Sequence, residues 1–215
     1  MKALLMKEFR LALHPTVPLF WLLSAMLLIP NYPYYVAFFY TGLGLFFVSL
    51  TGRENHDIEY SLMLPVRKRD LVKARFAMAA IVEGVQLMLA VPFAVLRAHV
   101  EPAPNLAGMD ANVALFALAL PMLGLFNLAF FAQYYGAPAR VGRAFLWGCA
   151  AVFAYMALCE TAVHVVPLMR DRLDTPDPLY LGEKLVALAA GAAAYAAMTL
   201  WGYGVSARRF ERLDI

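Results

Sequence analysis

Long apolar runs, separated by short polar connections, fill most of this 215-residue sequence. Hydrophobic residues make up 63% of the chain and charged residues 15%, whereas soluble domains are about half apolar and about a quarter charged. At roughly 20 residues per span, the runs hold about six transmembrane helices. The sequence therefore predicts an all-α integral membrane protein. It forms a single domain over residues 1–215, with spans near 16–30, 34–51, 76–97, 112–133, 145–168 and 184–204.

The first residues form a separate amphipathic segment. At 100° per residue, Lys7, Arg10 and His14 fall on one helix face, while Leu5 and Phe9 fall on the opposite face. A helix of this kind lies in the membrane interface and does not cross the bilayer. Charged residues interrupt the apolar stretch and no small-residue cleavage site follows. We therefore expect a retained interfacial helix over about residues 2–14, and not a signal peptide.

Lysine and arginine are distributed unevenly between the connections. With the amino terminus in the cytoplasm, the six expected spans place 14 of the 18 Lys/Arg residues inside and 4 outside. The positive-inside rule then predicts a multi-pass protein of the cell membrane, such as a bacterial inner or plasma membrane, with both termini cytoplasmic. The four residues expected outside are Arg97, Arg170, Arg172 and Lys184.

Motifs for catalysis or metal binding are missing from the sequence. None of the four histidines begins an HExxH motif, and there is no glycine-rich phosphate loop. Cys149 and Cys159 lie in one apolar run, which indicates neither a disulfide framework nor a metal site. We expect a chain that is not an enzyme by itself and that binds no metal or cofactor.

The longest polar segment, residues 52–75, lies between the second and third expected spans. It carries six Lys/Arg and four Asp/Glu residues. Asn55 is a suitable N-cap for a short helix over residues 56–63, which a proline would end. Asp57 and Glu59 are well placed in its first turns relative to the helix dipole. The segment therefore predicts a compact, exposed cytoplasmic helix.

Apolar side chains accompany the charges of this short helix. Tyr60, Met63 and Leu64 give it an apolar anchor, a composition typical of an element that docks in a partner's groove. The alternative is a basic loop that satisfies membrane topology and contacts lipid headgroups. Basic residues alone would meet the needs of topology, so the acidic and aromatic residues favour docking.

Residues 64–76 resemble a motif of the ABC-2 type transporter permeases, the membrane subunits of ATP-binding-cassette exporters. The stretch reads LPVRKRDLVKARF, from Leu64 to Phe76. Ser206 and the tail sequence Arg209-Phe210-Glu211 are also similar to this family. So is the layout of an interfacial helix, six spans and a polar segment between spans two and three. No ATP-binding cassette is part of this sequence.

The resemblance implies a permease that works by alternating access, with export of an unspecified substrate. It implies as partners two separate ATPase subunits, which would bind the ATP and Mg²⁺, and a second identical or related permease, with no nucleic acid. The short cytoplasmic helix is then a coupling helix that contacts an ATPase subunit. The other function class is a non-transporting membrane scaffold or sensor subunit. The residues that the resemblance assigns to coupling are Asn55, Asp57, Glu59, Tyr60, Leu64, Pro65, Arg67 and Arg69.

Polar residues within the expected spans are candidates for a substrate path, because such residues usually face the protein interior. Glu83 lies roughly 10 Å from the cytoplasmic end of the third span, and Asn127 lies at a similar depth in the fourth. Gln86 follows Glu83 one turn further out. These three line an inward-open cavity on one interpretation; on the other, Glu83 bonds Asn127 and fixes helix packing.

A second polar pair lies in the outer third of the fifth span. Glu160 and His164 share a helix face there. On one interpretation they belong to the substrate path; on the other they line a water-filled vestibule or form a salt bridge with Arg170 or Arg172. In the sixth span, the small residues from Ala189 to Ala197 predict close helix–helix contact.

Overall fold

The computed structural model describes residues 2–101 and 103–213, and every regular element in these ranges is helical. Short π-helical or 3-10 turns extend several of the α-helices. The α-helices are α1 (Lys2–Lys7), α2 (Thr16–Leu22), α3 (Tyr35–Glu54), α4 (Asp57–Leu62), α5 (Lys68–Val100), α6 (Val113–Tyr134), α7 (Val141–Val165) and α8 (Leu181–Glu211).

Five helices, α3 and α5 to α8, are long and apolar enough to cross a membrane. The shortest of them, α3, has 20 residues, which at 1.5 Å per residue matches a hydrocarbon core of about 30 Å. The prediction of an all-helical, multi-pass membrane protein is confirmed at this level.

The expected first span, residues 16–30, is shorter than predicted. Helix α2 continues only into a 3-10 turn, Leu23–Leu28, and these 13 residues together reach about 20 Å. The preceding helix, Lys2–Ala12, is bent by 84° from this segment. A sixth span is therefore present only if the bent pair counts as one crossing.

Several helices extend past the ends of their apolar runs. Helix α3 continues to Glu54, and α5 begins at Lys68 rather than at residue 76. Lysine, arginine and alanine are good helix formers, and the membrane boundary gives a helix no reason to end. The polar segment expected over 52–75 is therefore mostly helical. Helix α4 lies close to the end of α3 and to the start of α5.

Helix α6 lies at the centre of the packed helices, between α7 and α8. Glycines bring it close to α8: a Cβ atom on Gly191 would overlap the carbonyl oxygen of Ala117, and one on Gly202 would lie 3.0 Å from Leu128 Cα. The close contact predicted for Ala189–Ala197 is thus present at Gly191, whereas most of the alanines around it are exposed.

Candidate functional site

The short helix α4 is present, but its amino-terminal end differs from the prediction. Asn55 is not the N-cap: it follows α3, and its backbone N–H donates to the carbonyl of Thr51 at 2.9 Å. The residue before α4 is His56, in the left-handed region with φ 50° and ψ 37°, and no side chain caps the helix. The prediction was wrong because α3 continues past its apolar run to Glu54, so that α4 begins at Asp57, one residue later than expected.

Four charged side chains form a buried cluster, defined here as the ion-pair cluster, beneath α4. Arg75 of α5 contacts Glu8 through Nε at 2.6 Å and Asp57 through Nη2 at 2.8 Å. Lys7 contacts the other oxygen of Asp57 at 2.5 Å and donates to Ser61 Oγ at 2.9 Å. The Arg75 and Glu8 side chains are only 4% and 3% exposed.

The ion-pair cluster joins three separate parts of the chain. Glu8 belongs to the first helical segment, Asp57 begins α4 and Arg75 lies two turns into α5. A buried charge left without its partner is costly, so α4 cannot move away from α5 without breaking these contacts or carrying α5 with it. The only sign of the cluster in the sequence is an acidic residue, Glu8, inside an amphipathic segment.

Seven of the eight residues assigned to coupling are exposed. Asp57 is the exception, because its carboxylate lies in the ion-pair cluster. Tyr60 is 61% exposed and Leu64 is 45% exposed, so apolar surface is presented beside the charges. The exposed residues are Asn55, Glu59, Tyr60, Leu64, Pro65, Arg67 and Arg69.

A cavity of about 610 Å³ lies next to this exposed surface. Residues of α1, α4 and the connection to α5 line it, including Leu4, Tyr60 and Val66. Arg67 on its rim pairs with Asp70 at 2.9 Å, while Arg69 reaches Glu211 of α8 with two hydrogen bonds of 2.6 and 2.9 Å. The arrangement combines a rigid helix with an adjacent groove, which suits contact with another protein.

Glu83 is buried within the helix bundle and accepts two hydrogen bonds. Asn127 Nδ2 donates to Glu83 Oε2 at 3.0 Å, and the Tyr195 hydroxyl donates to the same oxygen at 2.6 Å. Asn127 Nδ2 also lies 3.3 Å from Thr199 Oγ1. The Glu83–Asn127 contact of the packing interpretation is therefore present. Together with the bonds to Tyr195 and Thr199, it joins α5, α6 and α8.

Gln86 faces a different part of the protein. Its side-chain amide donates to Ser24 Oγ at 2.9 Å and to the Ala37 carbonyl at 3.4 Å. Gln86 thus ties α5 to the turn after α2 and to α3, while Glu83 points toward α6 and α8. The two residues lie about 60° apart around the helix axis, which is enough to give them different neighbours.

Glu160 of α7 contacts the connection between α5 and α6. Its Oε2 accepts a hydrogen bond from the Met109 backbone N–H at 3.2 Å. The alternative that predicted a salt bridge to Arg170 or Arg172 is wrong, because these arginines pair with Asp171 and Glu183. His164 is exposed, one turn beyond Glu160.

The connections at the end of the bundle away from α4 are held together by carboxylate contacts. The backbone N–H of Asp110 donates to Asp174 Oδ1 at 2.7 Å, and the buried Lys184 ammonium lies 2.7 Å from Asp177 Oδ1. Burial raises the pKa of Asp174 to about 6 and also raises the pKa of Asp110. At neutral pH Asp174 is therefore still ionised and able to accept this hydrogen bond.

A largely apolar cavity of about 570 Å³ lies between the carboxyl-terminal half of α5, the connection to α6, and α8. Met88, Val91, Phe116 and Leu188 are among its lining residues, and neither Glu83 nor Asn127 lines it. Arg97 forms part of its wall and donates through Nε to the Tyr34 hydroxyl at 3.0 Å. Hydropathy gave no sign of this cavity, because an apolar run does not distinguish cavity-lining residues from lipid-facing ones.

The chain matches no protein-family model, and comparisons with curated proteins and with solved structures find no similar protein. The resemblance to ABC-2 permeases therefore remains an expectation from the motif over 64–76 and the order of the apolar runs. Among the described residues, no group of three or more His, Cys, Asp or Glu side chains is arranged to hold a metal ion.

Proposed function

We propose that this chain is the membrane-spanning permease subunit of an ABC exporter, paired with a second permease and powered by two separate ATPase subunits. The observation that carries the proposal is the attachment of α4. Its outer surface is exposed, while Asp57 at its base is fixed to Arg75 of α5. Force applied to α4 by an ATPase subunit would therefore be passed directly to a membrane-spanning helix.

In this mechanism, α4 acts as the coupling helix. Closure of the ATPase subunits on ATP pushes α4, the ion-pair cluster keeps α4 in register with α5, and α5 tilts against its neighbours. Such a rigid-body movement, driven by nucleotide binding, changes the side of the membrane to which the interior of the permease opens. The largely apolar cavity beside α5 supports a hydrophobic cargo, because most of its lining residues are apolar.

The first prediction tests the docking surface. We expect Glu59→Ala combined with Tyr60→Ala, or Arg67→Glu alone, to weaken association with the ATPase subunit about tenfold or more, because exposed aromatic and arginine side chains dominate interfaces. Copurification with the tagged chain from its native host, followed by ATPase measurement, checks this. Arg208→Glu and Met6→Ala, which alter exposed residues elsewhere, serve as matched controls.

The same experiment separates the two function classes. A stoichiometric ATP-binding-cassette ATPase supports the permease, provided that the α4 variants lose it and the controls retain it. If the wild-type chain copurifies with no such ATPase, the proposal fails, and a non-transporting scaffold or sensor becomes the better assignment.

The second prediction concerns orientation. In a background with Cys149→Ala and Cys159→Ala, we expect single cysteines at Leu106 or Asp171 to react with a membrane-impermeant thiol reagent added outside intact cells. Cysteines at His56 or Met63 should react only after the membrane is opened. These native side chains are exposed, so that lack of labelling reports the membrane side. The reverse pattern would place α4 outside and exclude ATPase coupling.

The third prediction concerns Glu83, which we assign to helix packing. Glu83→Gln should keep normal stability, since one amide oxygen can accept from both Asn127 and Tyr195. Glu83→Leu should lose roughly 0.6–2 kcal/mol, the scale of interhelical hydrogen bonds in membranes. Unfolding of the purified protein in detergent checks both values, with Tyr195→Phe as a control that removes one donor.

Substrate-stimulated ATPase activity adds a second measurement for Glu83. A stable glutamine variant with normal activity would exclude the carboxylate charge from the substrate path. A stable glutamine variant without activity would contradict our assignment and return Glu83 to that path.

A further inference from the structure

Four arginine side chains converge on a cavity of about 420 Å³ at the same end of the bundle as α4. They come from the α6–α7 connection, the start of α7 and the end of α8, and no acidic residue lines the cavity. We define this site, with Arg140, Arg143, Arg209 and Arg212, as the arginine pocket. Its remaining lining residues are Gln133, Gly136, Ala137 and Ala144.

The charge of the arginine pocket is not neutralised by the described part of the chain. Within residues 2–101 and 103–213, none of the four arginines forms an ion pair, and the nearby Glu211 is held by Arg69. Arg209 donates to the Ala132 carbonyl at 2.7 Å, which fixes one wall. Converging guanidinium groups without carboxylate partners favour a phosphate, whose oxygens accept their paired N–H donors.

The surface next to the pocket indicates where that phosphate comes from. On α7, Leu146 and Trp147 follow Arg143 within about one turn and are 69% and 55% exposed. On α8, Trp201 is 64% exposed and shares a helix face with Arg212. Both helices that carry the pocket's arginines thus also expose apolar side chains, and tryptophan is typical of the lipid headgroup level.

We propose that the arginine pocket binds the phosphate of an anionic membrane phospholipid, whose acyl chains lie along α7 and α8. This site is separate from α4 and from the ion-pair cluster. A free phosphate would use the same guanidinium groups but would gain nothing from the exposed tryptophans. A zwitterionic lipid would bring a cation toward four arginines and should bind more weakly.

Native mass spectrometry of the full-length protein in detergent tests the proposal, with phosphatidylglycerol, phosphatidylcholine and inorganic phosphate added in separate arms. We expect phosphatidylglycerol to bind more tightly than phosphatidylcholine. Arg140→Gln combined with Arg143→Gln should weaken phosphatidylglycerol binding roughly 30-fold, at the usual contribution per basic residue near a membrane surface, and leave phosphatidylcholine binding unchanged. Arg10→Gln combined with Lys73→Gln removes two exposed charges that do not line the pocket and should have little effect.

Melting in detergent without added lipid verifies that each variant is folded, and the single variant Arg212→Gln provides an independent test if the double variant is not. Equal losses in the pocket and control variants would overturn the proposal, because surface charge in general would then account for binding. Tight binding of inorganic phosphate without preference for phosphatidylglycerol would assign the pocket to a soluble ligand. Loss of ATPase association with unchanged lipid binding would make it a protein interface.

Discussion

Replacing Arg75 by leucine is expected to lower the free energy of unfolding of the detergent-solubilised protein by about 3–5 kcal/mol. Leucine fills part of the space but leaves the Glu8 and Asp57 carboxylates facing each other, with Lys7 as the remaining cation. Both the Arg75 and Glu8 side chains are nearly inaccessible, so water cannot replace the lost contacts. Chemical unfolding in detergent measures the change.

The control for this variant is another arginine of the same helix. Arg69 makes two hydrogen bonds to the carboxylate of Glu211, but its side chain is 59% exposed. Arg69→Leu should leave stability nearly unchanged, because exposed ion pairs contribute little. A similar loss in the Arg69 and Arg75 variants would contradict the importance that we give to burial.

A double-mutant cycle separates pairing from the cost of an unpaired charge. Glu8→Gln in the Arg75→Leu background should recover part of the lost stability, since it removes one buried negative charge. The single variant Arg75→Lys should not keep the stability of the wild-type protein, because an ammonium group lacks the planar fork that reaches Glu8 and Asp57 together. Additive effects of the Glu8 and Arg75 substitutions would exclude direct coupling between them.

Hydropathy predicted the helical class and the positions of five long helices, because the length of an apolar run is set by the thickness of the bilayer. It overestimated the length of the first expected span, which has 13 helical residues. The run over 16–30 has the composition of a span, but the chain leaves helical geometry at Leu28. Composition does not report where a helix ends.

Depth along a helix was also predictable, whereas neighbours around it were not. The rise of 1.5 Å per residue put Glu83 and Asn127 at one level, and the two are hydrogen-bonded. Tyr195 was counted only as part of a small-residue stretch, although its hydroxyl donates to the same carboxylate. The pairing of Glu8 with Arg75 depends on how distant segments fold together, and no local pattern records it.

Replacing Gly191 by alanine is expected to separate α6 from α8 and to cost about 1–3 kcal/mol or more, the scale of overpacking in a close-packed interior. The added Cβ would overlap the Ala117 carbonyl oxygen. This obstacle is backbone and cannot rotate away. Gly202→Ala should cost less, because its Cβ would lie 3.0 Å from Leu128 Cα, a gap that a small shift of the helices can relieve.

Gly204 provides the matched control, since it lies on the same helix and an added Cβ would meet nothing within 4 Å. Gly204→Ala should be neutral or slightly stabilising, because alanine favours a helix over glycine by about 1 kcal/mol. Thermal unfolding in detergent should therefore rank the alanine variants in the order Gly191, Gly202, Gly204, from least to most stable. If all three behaved alike, helix propensity alone would govern them, and the close approach of α6 and α8 would contribute nothing to stability.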